Sequence, residues 1–177
     1  MNKSIFQGYR ELGVDNFYAL NSHSYQNPHE NDIKVCLSAL FDFSRTSFVD
    51  LACGEGLVTK YLLSKNPSLD CYGVDKYLSK RYEEETGKPC FSFSFEQIAD
   101  LKCNLEQKQT LVISYALDLI KPSYLNKFLY ACAYTGFSDM LIIRPNGHII
   151  ESEHWIVSKT FRHGKAKACL YTNNLRI

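Results

Sequence analysis

The chain has 177 residues, of which 45% are hydrophobic, 14% aromatic and 22% charged. That is ordinary globular composition and about one domain's length, with enough chain for a sizeable core. It excludes a disordered tail, a collagen and a disulfide-knot peptide. With 20 Lys and Arg against 19 Asp and Glu, the net charge is +1, without the basic excess that marks most nucleic-acid-binding domains.

The seven cysteines, at 36, 53, 71, 90, 103, 132 and 169, form no Cys-x-x-Cys pair, and their number is odd. No zinc site or full disulfide framework is expected, and the thiols read as free in a reducing compartment. Met1-Asn2-Lys3-Ser4 leads into Tyr9, Arg10 and Glu11 rather than an apolar run, so no signal peptide is expected. No segment approaches the ~18–20 apolar residues of a membrane span. These features together predict a cytoplasmic setting.

In chain order, residues 1–46 are rich in polar and aromatic residues, with a weak amphipathic helix near 5–20. Pro28 disfavours helix at Asn27, so a new helix is expected to start near it. That helix carries Ile33, Leu37, Leu40 and Phe41 on one face. From Ser47 onward short apolar runs alternate with helical segments. The runs are Phe48–Leu51, Leu69–Val74, Cys90–Phe93, Leu111–Tyr115 and Met140–Ile143, and the expected helices are 57–66, 77–87, 95–104 and 122–134. Nearly continuous apolar runs are the signature of parallel strands covered on both faces. The alternation predicts an α/β, doubly wound, mostly parallel sheet of seven strands. Trp155–Phe161 and Lys167–Thr172, around a His163-Gly164 turn, predict an antiparallel hairpin closing one edge. The expected organisation is a single domain over 1–177, with 1–46 as a helical lid or substrate segment and 47–177 as the ligand-binding core.

The chemistry is expected where the first strand ends, in Asp50-Leu51-Ala52-Cys53-Gly54-Glu55-Gly56. Glycines there permit a sharp turn and a close ligand approach. Thr59 stands where a nicotinamide fingerprint requires its third glycine. Asp50 is an acid inside the strand. Its burial calls for a cationic ligand or backbone N–H groups, and it would repel a pyrophosphate. Asp75 ends the second strand, where a carboxylate can accept ribose hydroxyls. A positively charged nucleoside without phosphates fits both acids.

At Asp50–Gly56 and Gly73-Val74-Asp75 the sequence resembles the class I S-adenosylmethionine-dependent methyltransferases, from about Ser47 to the C-terminus. Ala52 replaces the first glycine of the commonest loop. The resemblance implies a Rossmann-like methyltransferase fold and S-adenosyl-L-methionine as cofactor. It implies contacts to the cofactor from Asp50, Ala52, Cys53, Gly54 and Gly56, with Asp75 and its neighbour Lys76 on the ribose side. Ser94, Phe95 or Glu96 is the candidate contact to adenine. Ser94 and Gln97 also fit a helix capping box. Ser114 and Tyr115 follow from Ser114-Tyr115-Ala116-Leu117-Asp118-Leu119, which is similar to the form seen in many small-molecule methyltransferases. The Asn/Asp-Pro-Pro-aromatic form of base N-methyltransferases is absent. Tyr25-Gln26-Asn27-Pro28-His29 also resembles a small group of bacterial and related methyltransferases of unassigned role.

The expected activity is methyl transfer to a small molecule. A non-catalytic partner or cofactor-binding subunit, and methylation of RNA or protein, are the alternatives. No metal is expected, and no catalytic residue follows from the sequence. Candidates for a base are His29, His148 and His154, with Tyr18 and Tyr25 placed to face a sulfonium by cation–π contact. Asp118 is a candidate to orient an acceptor. Lys159, Arg162, His163, Lys165 and Lys167 on the hairpin either meet a phosphate backbone or form a solvated edge.

Overall fold

The computed structural model describes residues 29–145 and 147–175. The expected helix near 5–20, Tyr18 and Tyr25 lie outside them, as does all of the Tyr25–His29 segment except His29. Helix α1 (Glu30–Leu40) comes first, followed by β1 (Ser47–Leu51), α2 (Leu57–Lys65), β2 (Asp70–Val74) and α3 (Ser79–Thr86). Next are β3 (Cys90–Phe91), α4 (Phe95–Ala99), β4 (Thr110–Ser114), a 3-10 turn (Leu117–Leu119) and α5 (Pro122–Tyr134). The long strand β5 (Asp139–Pro145) leads to the hairpin β6 (Trp155–His163) and β7 (Ala166–Asn173). The seven strands lie in the order β3-β2-β1-β4-β5-β7-β6. The first five are parallel, and β7 runs antiparallel between β5 and β6.

Two apolar cores flank the sheet, which is why its central strands read as unbroken apolar runs. On one side Val49, Leu111, Ile113, Met140 and Ile142 pack with Phe128, Leu129 and Cys132 of α5 and with Trp155. On the other, Phe48, Val112, Leu141 and Ile143 meet Ile33, Cys36, Leu37 and Leu40 of α1 and Val58 and Leu62 of α2. α1 is thus part of the core, and His163 on the hairpin meets its Asp32 at 3.1 Å. Trp155 Nε1 donates to Leu129 O at 2.9 Å, so the buried indole leaves no orphan donor.

Two elements are shorter than the sequence predicts. β3 stops at Phe91, because Phe93 N turns back to Phe91 O at 3.2 Å. α4 ends at Ala99 because Leu101 takes φ +54°. The Leu101 and Lys102 amides then close on Ile98 O and Gln97 O. Such left-handed caps are usually glycine, and a leucine hides the boundary.

Candidate functional site

The sheet order reverses between β1 and β4, and the strand ends on either side of that switch open a crevice. A cavity of about 900 Å³ occupies it. It is lined by Asp50, Ala52, Cys53, Gly54, Asp75, Lys76, Ser94, Phe95, Glu96, Ser114 and Tyr115, which the sequence selects. The remaining predicted residue, Gly56, is not among the lining residues. It sits beneath the loop at φ +78°, where a Cβ would come within 2.3 Å of Thr86 Cγ2. Glycine is required there by both backbone conformation and space.

The loop from Ala52 to Gly56 is held from below. Asp75 is the hub: its Oδ2 accepts from Gly54 N at 3.0 Å, and its Oδ1 from the amides of Tyr77 at 2.8 Å and Leu78 at 2.9 Å. One carboxylate therefore fixes the ends of both β1 and β2. Gly54 itself faces open space, with nothing within 4 Å of the position a Cβ would take.

Asp50 is buried, and its partner is internal. Thr59 at the start of α2 donates both its amide, at 3.2 Å, and its hydroxyl, at 2.9 Å, to Asp50 Oδ2. The Thr59 hydroxyl also meets Tyr82 OH at 2.8 Å. Burial raises the Asp50 carboxyl to about 7 despite the opposing Thr59 bonds, and the Asp75 charge adds to the rise. Burial also lifts the Tyr82 phenol above its ordinary range. The threonine that spoils the nicotinamide fingerprint is thus the latch for the strand acid.

On the far wall, Ser94 forms the expected capping box. Gln97 N donates to Ser94 Oγ at 3.2 Å, and Ser94 N donates to Gln97 Oε1 at 2.9 Å. Glu96 points toward Lys121 Nζ at 3.7 Å, and Phe95 packs edge-on against Phe128. Phe93, Ile98 and Leu119 supply an apolar wall that sequence reasoning did not select. Glu30, Lys34, Lys60 and Tyr61 extend the lining along α1 and α2. Phe93 carried a local signal, one residue before the capping Ser94. The α1 and α2 residues carried none, since their place depends on how two helices pack.

Tyr115 closes the end of β4 at φ +54°, and Ala52 does the same after β1, also at φ +54°. The hydroxyls of Ser114 and Tyr115 are buried with no hydrogen-bond partner among the described residues. Burial pushes the Tyr115 phenol up to about 12. His29 stacks on this ring with centroids 4.4 Å apart.

Three other candidates go elsewhere. His154 lies at the opposite end of the sheet: β6 begins where Trp155 pairs with Asn173, beside the start of β5. The chain doubles back after Pro145, and His154 packs edge-on against Tyr130 and meets Glu153 at 3.4 Å. Asp118 is ion-paired with Arg144 and is not among the lining residues. His148 is exposed. Of the basic hairpin residues, Lys159, Arg162 and Lys165 are exposed. Among the described residues no helix is long and apolar enough to cross a membrane.

No family model matches the chain. An uncharacterised protein of Schizosaccharomyces pombe, C17A5.05c, is 24% identical over 163 residues, 67% of this chain and 66% of that protein. The structure of the mitomycin 7-O-methyltransferase MmcR matches 97% of this chain and 61% of its own, at 12% identity and TM-score 0.71. NcsB1, an O-methyltransferase from neocarzinostatin biosynthesis, was solved with S-adenosyl-L-homocysteine and 1,4-dihydroxy-2-naphthoic acid. It matches 97% of this chain and 62% of its own, at 17% identity and TM-score 0.65. The chain thus spans about three fifths of these two structures and just under two thirds of the S. pombe relative. The parallel strands, the reversal between β1 and β4, and the antiparallel hairpin are those of the α/β methyltransferase fold, and this chain has that fold.

Proposed function

We propose that the chain binds S-adenosyl-L-methionine in the crevice above β1, β2 and β4 and transfers its methyl group to a small-molecule acceptor. The observation that carries the reading is the bare backbone of Gly54 facing the cavity, held by the acid that ends β2. The likeness to NcsB1, solved with the demethylated nucleoside, supports it.

The residues present fit that cofactor. Asp75 would hold the ribose, using the one acceptor site on Oδ2 not taken by its three backbone donors. Phe93, Ile98 and Leu119 would cover the flat base, and the hydroxyls of Ser114 and Tyr115, without a partner among the described residues, would meet the ligand. The cofactor supplies a methyl group already activated by its leaving group. The chain's task is to align the acceptor and exclude water, and a base is needed only for an acceptor protonated at rest. His29, stacked on the Tyr115 ring just outside the lining residues, would be the candidate for that base. A near-neutral chain with a cavity of this size suits a small acceptor better than a polyanion.

Thermal unfolding with S-adenosylmethionine and with S-adenosylhomocysteine tests the reading. At one hundred times the dissociation constant a ligand adds ~2.7 kcal/mol, a rise of about 5–10 °C for this size. Asp75→Asn should lose most of the rise. No shift with either nucleoside at millimolar concentration sinks the proposal. Binding without label transfer from methyl-labelled cofactor to a metabolite extract would leave a non-catalytic binding module instead.

A further inference from the structure

We propose that Cys53 and Cys90 are an oxidative modification site, joined by peroxide into a disulfide that shuts the cavity to its ligand. The two sulfurs stand 3.6 Å apart, 37 residues apart in sequence, on the two segments that face each other across the end of β2. Cys53 belongs to the loop after β1 and lines the cavity. Cys90 opens β3 and does not line it, pairing instead with Gly73 of β2. Gly73 makes the meeting possible: a Cβ there would fall 2.8 Å from Cys53 Sγ.

The two thiols differ in access. Cys53 is buried, 7% exposed, and burial raises its thiol well above the ordinary range. Cys90 is half-buried, so an oxidant from solvent reaches it first. The Cys90 thiolate displaces hydroxide from hydrogen peroxide and becomes a sulfenic acid. The Cys53 sulfur then attacks that sulfur, its proton leaves with the displaced hydroxyl as water, and the disulfide closes. One peroxide is reduced to two waters and two thiols are oxidised.

A disulfide needs sulfurs ~2.05 Å apart, so the two sulfurs must close by about 1.5 Å, through side-chain rotation and movement of the segments that carry them. The loop is tied to β2 by Ala52 N to Val74 O at 2.7 Å and by Gly54 N to Asp75. β3 is held by Gly73 N to Pro89 O and Asp75 N to Phe91 O, and it leads directly into Phe93, Ser94 and Phe95 on the far wall. Because both segments are tied to β2 at the hub acid, a backbone shift in either would be passed to a wall of the crevice.

Loss of ligand binding rests on the cofactor reading, whereas the cross-link does not. The experiment treats the full chain with hydrogen peroxide at pH 8, maps cysteine peptides without reduction, and titrates S-adenosylhomocysteine by calorimetry before and after. A Cys53–Cys90 peptide is expected, with affinity at least tenfold weaker after oxidation and restored by dithiothreitol. Cys90→Ser should bind as the reduced protein does and be indifferent to peroxide. Absence of that peptide, or unchanged affinity once it has formed, overturns the proposal. A reduced protein that fails to bind the nucleoside refutes the cofactor reading and ligand closure together, while the peptide map still decides the cross-link.

Discussion

Asp50 makes the most quantitative demand on this structure. Its carboxyl is buried at the end of β1 with Thr59 as donor, and it keeps its proton to about pH 7 against an ordinary value of 3.8. The unfolded chain releases that proton near 3.8, so between the two values the folded state binds more protons than the unfolded one. Stability then falls as pH rises through this window and levels off above the folded value. Roughly three pH units at 1.36 kcal/mol each give a loss of about 4 kcal/mol. Asp50→Asn keeps the shape and an acceptor for Thr59 but cannot ionise. It carries a fixed penalty for its buried amide, so the difference between the two proteins isolates this one titration. The chain has a single tryptophan, Trp155, buried at 2% exposure, and its fluorescence reports unfolding in urea. From pH 4.5 to 7 the wild type should lose about 3 kcal/mol relative to Asp50→Asn, roughly 1 kcal/mol per unit and flattening toward pH 7. A difference that stays flat over that range would refute the assignment of a protonated buried carboxyl.

Two further substitutions probe the same corner. Thr59→Val keeps the volume but strips Asp50 and Tyr82 of a shared hydroxyl, and urea unfolding should show a loss of about 1–3 kcal/mol. Gly73→Ala drives a Cβ to 2.7 Å from the Tyr82 ring and 2.8 Å from Cys53 Sγ. An overpacking loss of about 1–3 kcal/mol is expected, and Cys53→Ala in the same chain should return part of it.

What was legible in the sequence follows physical lines. β1, β2, β4 and β5 stood out because both faces are covered, leaving each run apolar at successive positions. The ends of β3 and α4 did not, because Phe93 is apolar yet turned out of the ladder and Leu101 holds a conformation usually left to glycine. The loop and Asp75 stood out because glycines at a strand end allow a sharp turn and an acid there can accept hydroxyls, whereas Asp75's three bonds to backbone amides could be seen only in the structure. The lining from Lys34 and Tyr61 was not, since it depends on the approach of α1 to α2. His154 was misplaced for the same kind of reason: linear order puts it after β5, but the antiparallel hairpin starts at the other end of the sheet.

The backbone at the crevice explains why so few side chains announce a function. Ala52 and Tyr115 end adjacent parallel strands, and both sit at φ +54°, a conformation that costs a non-glycine residue roughly 1–3 kcal/mol. Each is forced there by one more ladder bond, Ala52 N to Val74 O and Tyr115 N to Ile143 O, both 2.7 Å. The strands therefore continue their pairing to the last residue and then turn sharply, so the two loops part and leave the crevice between them. The opening is imposed by the sheet and held by Asp50 and Asp75 through backbone amides, before any ligand arrives. A site organised this way asks only for glycine at Gly54 and Gly56, acids at two strand ends and a donor at Thr59. If the chain binds S-adenosyl-L-methionine as proposed, the chemistry would belong to that cofactor, and the walls that α1, α2 and the loop after β4 place around the cavity would choose the acceptor.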